Sequence, residues 1–333
     1  MFDRPTQGEA RQLIEAQGLR FEPGYDDLAG LYEAGRLVAC GARAGYVLKM
    51  LAIEPGHQGT DALGELVTEL IRSGLAAGHD SLFVFTRPET APAFQHLNFR
   101  LLVSHGGAAL LEYGPGLAAY LAAQAPRIVP GRNGAVVING NPFTLGHLHL
   151  VEQAARQVDR LYLFVVREDL SEVPFADRFR LAAAATAHLA NVTVLDTSRY
   201  AVSAGTFPAY FLKRLDQVAL TQIQLDLRLF AQHLGPAFHL ACRFVGREPL
   251  CPATAAYNRA MAEVLEEYGI RWQELERLAA GGAPISASRV RRLLADCDFS
   301  TLGTLVPPVT LDYLQSAAGQ ALAARLRARM EGS

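Results

Sequence analysis

Two short stretches of this 333-residue chain combine residue types that bind phosphate groups. The first is Thr-Leu-Gly-His at residues 144–147, which follows an apolar run and opens a helix. Gly146 lets a phosphate approach the backbone, the helix N-terminus offers unpaired amides, and His147 can donate to a phosphate oxygen. A plain helix start fits the same residues, with Thr144 as the cap and His147 as a solvated side chain. The motif alone leaves both interpretations open.

His149 is two residues further along the same helix. At roughly 100° per residue it points about 200° away from His147. We therefore assign His149 to packing or to solvent, and His147 to the side that faces a ligand.

The second stretch, residues 284–292, also opens a helix and contains Ser286, Ser288 and Arg291. Serines at such a position cap a helix, so a capped helix with solvated arginines is again an alternative. The two stretches together favour a ligand site. A phosphate chain between the two helix N-termini would be met by His147 on one side and Arg291 on the other.

The elements around these motifs predict how they are positioned. From residue 133 onward, continuous apolar strands alternate with helices, which is typical of a doubly wound parallel sheet. In such a sheet the ligand lies beyond the carboxyl ends of the strands. The chemistry is therefore expected in the loops that follow Ile138, Val166 and Val245.

Clusters of glycine and proline indicate where the chain divides. We predict a small mixed α/β domain over residues 1–116, a linker with a short helix over 117–132, and the doubly wound domain over 133–333. The fold class is therefore α/β, with two domains of different architecture.

The second domain resembles the nucleotidylyltransferase superfamily, whose members carry a T/H-x-G-H loop after the first strand and an I-S-S-T-x-x-R helix start near the end. Over most of residues 133–315 it is similar, more specifically, to the citrate lyase ligase family. The resemblance rests on Asn139 to His147 and on segments 150–154, 164–166, 187–189, 191–194, 206–208, 210–213, 243–246, 248–249 and 305–308.

This resemblance implies an ATP-dependent, AMP-forming ligase that makes acetyl-AMP and acetylates a thiol on the acyl carrier subunit of citrate lyase. That thiol belongs to a dephospho-CoA derivative in the family. ATP and acetate are then the small substrates, and Mg²⁺ is expected with ATP, although we identify no set of ligands dedicated to a metal.

The resemblance also assigns residues. His147 and Thr144 would be catalytic, and Arg167 and Lys213 are secondary candidates for which a solvated or ion-paired side chain is an equal alternative. The nucleotide-binding candidates are Asn139, Gly140, Asn141, Phe143, Gly146, Ser286, Ser288 and Arg291.

The first domain resembles the GNAT acetyltransferase fold in its strand at residues 47–53 and the turn that follows. Ile53, Gln58 and Gly59 then mark a site for a CoA-like thiol arm. Asp61 stands where the GNAT pattern has a glycine, and its charge would repel a pyrophosphate. The resemblance therefore favours a domain that receives the carrier's thiol arm over one with its own acetyl-CoA chemistry.

Two other functions remain open at this point. A nucleotidylyltransferase that transfers AMP to a phosphate monoester would need a phosphate-acceptor pocket instead of one for acetate. A non-catalytic sensor of CoA-like molecules would use the first domain, although the intact motifs of the second domain argue against it.

Composition excludes further classes. A net charge of −2 gives no general attraction to nucleic acid, and no stretch reaches the roughly 18 apolar residues that cross a membrane. The four cysteines form no C-x-x-C pair, and the N-terminus has no apolar signal segment. We therefore expect a cytoplasmic protein without nucleic-acid or membrane partners.

Overall fold

A computed structural model describes residues 2–167, 170–203, 216–247 and 252–331 of the chain. The chain divides into two compact units, Met1–Ala122 and Ala123–Ser333. The division falls inside the segment that the glycine and proline clusters indicate as a linker.

The first unit is built on a seven-stranded sheet with the order β1-β2-β3-β4-β5-β7-β6. Only β4 and β5 pair in parallel, over Val47 and Leu48 of β4. The turn between β2 and β3 contains only Ala34 and Gly35, both at positive φ, as a tight type I′ hairpin requires. The strands are β1 Phe2–Asp3, β2 Asp27–Glu33, β3 Arg36–Ala44, β4 Val47–Ile53, β5 Leu82–Thr86, β6 Phe99–His105 and β7 Ala108–Tyr113.

Helices pack on this sheet through apolar faces. Thr6 caps the first helix and forms a capping box with Glu9. The second helix buries Leu66, Val67 and Leu70 against the sheet, as its 3.6-residue periodicity predicts. The expected mixed α/β fold of this unit is confirmed. Its helices are α1 Gln7–Ala16, α2 Ala62–Ala76, α3 Ala91–His96 and α4 Gly116–Gln124, the last of which crosses into the second unit.

The second unit contains a parallel five-stranded sheet with the order β10-β9-β8-β11-β12. The chain runs outward from β8 to one edge and then returns to build the other side, which confirms the doubly wound prediction. The switch point lies between β8 and β11. The strands are β8 Asn133–Ile138, β9 Arg160–Val165, β10 Val192–Asp196, β11 Leu240–Gly246 and β12 Arg271–Leu275, and β13 Ala279–Ala280 pairs with β14 Ala283–Pro284 as a short hairpin.

Helices cover both faces of this sheet. On one face Val136 and Phe244 join a large core with α5, α6, α9, α11 and α12, and on the other Phe164 contacts Phe230 at the end of α7. The helices are α5 Leu145–Ala155, α6 Phe175–Ala185, α7 Gln217–Leu229, α8 Pro252–Glu267, α9 Ala287–Ala295, α10 Phe299–Leu302, α11 Pro308–Gln315 and α12 Ala317–Glu331, and α7 continues through the π-helical turn Phe230–Leu234 and the turn Gly235–Ala237. Among the described helices, none has the length and apolarity to cross a membrane.

Candidate active site

A cleft of about 970 Å³ opens at the carboxyl ends of β8 and β11. This is the switch point of the sheet, where doubly wound folds bind their ligands. The candidate residues that line the cleft are Asn139, Gly140, Asn141, Thr144, Gly146, His147, Ser286, Ser288 and Arg291.

The loop after β8 is fixed by the side chains of its own asparagines. Asn139 donates from Nδ2 to Ser171 Oγ at 2.9 Å, and Asn141 accepts the Val173 amide at 2.9 Å. Gly140 has a φ of +63°, a left-handed conformation that favours glycine. The loop therefore offers a ligand its backbone and a defined shape, because its polar side chains are occupied by the protein.

Arg178 holds this loop, and the sequence analysis did not identify it. It is 0% exposed, and its Nη1 donates to the Asn139 carbonyl at 2.9 Å and to the Val166 carbonyl at 2.7 Å. It thus ties together the ends of β8 and β9. The sequence feature that could have identified Arg178 is its position on the apolar face of α6. There it shares i, i+3, i+4, i+7 spacing with Leu181, Ala182 and Ala185.

Thr144 and His147 cap the N-terminus of α5. Thr144 Oγ1 accepts the His147 amide at 3.3 Å, and the Thr144 amide donates to His147 Nδ1 at 3.0 Å. Because Nδ1 accepts this bond, the proton of the neutral imidazole lies on Nε2. The cap therefore fixes the tautomer of His147 and leaves an Nε2–H donor for a ligand in the cleft.

His147 can donate a hydrogen bond near neutral pH without changing its protonation state. Burial, assisted by the positive charge of Arg277, lowers the pKa of His147 to about 4. The imidazole is thus neutral at pH 7.

Packing explains why a glycine stands at position 146, in addition to the predicted close approach of a phosphate. A Cβ on Gly146 would lie 3.1 Å from the Ile285 carbonyl oxygen, which is tighter than ordinary packing. Ile285 directly precedes α9, so the absence of a side chain at Gly146 brings the starts of α5 and α9 together. Its close approach to a phosphate stays a prediction.

The start of α9 is the second half of the cleft. Ser286 is the N-cap and accepts the Arg289 amide at 3.2 Å. Arg291 donates from Nη2 to Ser288 Oγ at 3.3 Å and from Nη1 to the Asn141 carbonyl, which joins the two halves. Arg292 lines the cleft as well.

Other candidates lie elsewhere. Phe143 is fully buried in the core with its ring 5.5 Å from that of His147, so it supports the histidine from behind. Arg167 is exposed and forms an ion pair with Asp196 at 3.1 Å. This agrees with the alternative of a solvated or ion-paired side chain. His149 is half-buried in α5, and Lys213 lies outside the described residues.

In the first unit, Ile53 ends β4 and Gln58 and Gly59 occupy the turn that follows. Gln58 Nε2 donates to the Ile53 carbonyl at 3.3 Å, and Gly59 has a φ of +81°. Asp61 stands at the N-cap position of α2 without a side-chain hydrogen bond to the helix amides, and its negative charge would repel a phosphate at this helix start.

The cleft is rich in cations and poor in free carboxylates. Its glutamates, Glu172 and Glu276, form ion pairs with Arg329 and Arg247. No group of three or more His, Cys, Asp or Glu residues able to hold a metal is present in the described ranges. The charges that line the cleft therefore suit an anion.

The fold and cleft define the class: a doubly wound α/β protein with an arginine- and histidine-lined cleft between two helix N-termini at its switch point. Residues 133–314 match the family model for the citrate lyase ligase C-terminal domain. The citrate (pro-3S)-lyase ligase of Klebsiella pneumoniae is 44% identical over 290 residues, with 85% of each chain covered. That of Escherichia coli (strain K12) is 40% identical, with 84% of this chain and 82% of the relative covered. The chain belongs to the citrate lyase ligase family.

Solved acetyltransferase structures are also similar to part of the chain. One is the ribosomal-protein-S18-alanine N-acetyltransferase of Escherichia coli, with 15% identity and a TM-score of 0.29. The match covers 34% of this chain and 92% of that one.

We expect Arg291→Ala to weaken ATP binding by about tenfold or more, because one charge-assisted hydrogen bond to a phosphate is lost. Arg289→Ala is the matched control, since Arg289 donates from Nη1 to the Ala280 carbonyl at 2.8 Å. Isothermal titration calorimetry with ATP measures both variants. Equal affinities for the two would remove Arg291 from the nucleotide site.

Proposed function

We propose that this protein activates acetate with ATP and transfers the acetyl group to the thiol of the acyl carrier subunit of citrate lyase. The observation that carries the proposal is the junction of the α5 and α9 N-termini in one cleft, where Arg291 bonds to the Asn141 carbonyl. Two helix N-termini, a histidine donor and arginines match a triphosphate in charge and in hydrogen-bonding capacity. The names of the relatives support ligase activity on citrate lyase.

In the first step an acetate oxygen attacks the α-phosphorus of ATP, and the bond from that phosphorus to the pyrophosphate oxygen breaks. The products are acetyl-AMP and pyrophosphate. His147 Nε2–H would donate to an α-phosphate oxygen, where charge grows in the transition state. Ser286, Ser288 and Arg291 would hold the β- and γ-phosphates, with Mg²⁺ bound to the nucleotide as part of the substrate.

In the second step the carrier's thiolate attacks the carbonyl carbon of acetyl-AMP, and AMP leaves as the thioester forms. The thiolate is the reactive species, so the reaction needs a reduced thiol. This requirement agrees with the cytoplasm as the compartment. The first unit, with Ile53, Gln58 and Gly59 on one turn, is the candidate site for the pantetheine part of the carrier.

Exchange between ATP and labelled pyrophosphate tests the first step. We expect exchange that depends on a short carboxylic acid, with acetate preferred, and thiol-dependent release of free AMP when the acyl carrier is added. Exchange that needs no acid, or transfer of AMP to a phosphate monoester, would contradict the proposal and favour a nucleotidylyltransferase.

Substitutions of His147 separate its two roles. Asparagine keeps an acceptor for the Thr144 amide but is too short to replace Nε2, whereas glutamine places an amide N–H near the Nε2 position. We expect His147→Asn to lower exchange by about 10² to 10³, the usual loss for one preorganised donor, and His147→Gln to lower it less. Equal loss in both variants, with normal folding, would reduce His147 to a capping residue.

The two units allow the two steps to be separated. A fragment of residues 123–333 contains β8 to β12, their core and Arg127, whose Nη2 bonds to the Val194 carbonyl at 2.8 Å. We expect it to fold and to catalyse exchange, but to acetylate the carrier about 100-fold or more slowly, since positioning the long thiol arm is lost. Kinetics of both reactions on the same sample decide this, and undiminished acetylation would exclude the first unit from binding the arm.

A further inference from the structure

Arg243 lies inside the central part of the parallel sheet, on the strand β11. Successive side chains of a strand point to opposite faces, and its neighbour Phe244 enters the core with Val136. Arg243 therefore points to the other face, toward α7 and α8. It is 2% exposed and still lines the cleft, so it forms the floor of a deep part of that cleft.

The guanidinium of Arg243 has N–H donors that no protein acceptor pairs among the described residues. Its Cζ lies over the Phe230 ring, 4.2 Å from the ring centroid, and Nη2 donates to Tyr257 Oη at 3.2 Å. Its Nε and Nη1 have no hydrogen-bond partner in the described structure. Stacking occupies the face of a guanidinium and leaves the N–H groups on its edge available. Buried unpaired donors on a cation are costly, and in a cleft they indicate an anionic ligand.

The neighbours of Arg243 hold it in place. Tyr257 Oη donates to Asp226 Oδ2 at 2.7 Å, and Asp226 Oδ1 accepts the Val202 amide at 2.7 Å. Burial raises the pKa of Tyr257, which keeps its hydroxyl protonated and able to donate to Asp226. Asp226 thus acts on Arg243 through the tyrosine, while Nε and Nη1 of Arg243 stay without a hydrogen-bond partner in the described structure.

Apolar side chains from three segments line the same cleft as Arg243. Val137 comes from β8, Val202 from the segment that bonds to Asp226, and Met261 from one turn beyond Tyr257 on α8. Met261 is 1% exposed and Val202 6%. A single buried cation with small apolar walls differs from the α5 and α9 N-termini, where several amides and hydroxyls meet a polyanion. It fits a monoanion that has a short apolar tail.

We propose that Arg243 binds the carboxylate of the acid substrate, with the methyl group of acetate against Val202 and Met261. We name these residues, with Tyr257, the acid pocket. The assignment rests on the proposed function for the identity of the acid, whereas the pocket's preference for a short carboxylate follows from its own residues.

The test uses the full-length protein with Arg243→Lys, which keeps a charge but loses the planar set of donors. We expect the KM for acetate in pyrophosphate exchange to rise about tenfold or more, with the KM for ATP unchanged. Arg228→Lys is the matched control, because Arg228 is a half-buried arginine on α7 that pairs with Glu267 through both terminal nitrogens. An unchanged KM for acetate in Arg243→Lys would overturn the proposal.

A second measurement does not depend on adenylation. Sodium acetate should raise the Tm of the wild-type protein above its value in equal sodium chloride, and Arg243→Lys should lose this difference. If acetate raises the Tm of the wild-type protein but no acid-dependent exchange is found, the proposed function is contradicted and the acid pocket is supported. If exchange is normal but acetate affects wild type and variant equally, the pocket fails and the function stands.

Two further variants complete the test. Should Arg243→Lys not fold, Tyr257→Phe takes its place, since it removes the hydroxyl that accepts from Arg243; an unchanged KM for acetate there would also overturn the proposal. Met261→Ala should enlarge the pocket and shift the preference among acids toward butyrate. An unaltered preference would contradict the placement of the methyl group.

Discussion

The cleft depends on one close contact between chain segments far apart in sequence. Gly146, in the first turn of α5, lies against the Ile285 carbonyl just before α9, and the Leu145 amide donates to the Leu305 carbonyl at 2.9 Å. A side chain at position 146 would push these helix starts apart. Because they are adjacent, the partial positive charges of two helix N-termini add over one volume, which a single helix cannot achieve.

Two buried arginines show how differently the same side chain serves this site. Arg178 gives its donors to protein carbonyls and so fixes the loop after β8. Arg243 is held on one side by Tyr257 and keeps unpaired donors on Nε and Nη1. Desolvation makes an unpaired cation costly, so the first arginine is complete without a ligand and the second is not. The count of paired donors thus separates Arg178, which the protein satisfies, from Arg243, for which we propose a ligand.

His147 caps a helix and is also the residue for which we propose a catalytic role. Its Nδ1 is occupied by the Thr144 amide, and this hydrogen bond orients the ring and places the proton on Nε2. Burial and, to a smaller extent, the nearby positive charge of Arg277 lower the pKa of His147 and keep the ring neutral. The capping interpretation and the catalytic interpretation of the Thr-Leu-Gly-His motif are therefore compatible, because each uses a different nitrogen.

The sequence by itself determined the two kinds of domain, the order of strands and helices in the second, and both helix starts that line the cleft. These follow from local periodicity, from capping residues and from glycine, whose effects act over a few positions. Only the tertiary structure decided that Phe143 faces the core, that Arg167 pairs with Asp196, and that Arg178 and Arg243 belong to the site. The sequence does not distinguish a buried arginine from a solvated one. The role of each arginine is set by hydrogen-bond partners such as Asn139 and Tyr257, which only folding brings within hydrogen-bond distance.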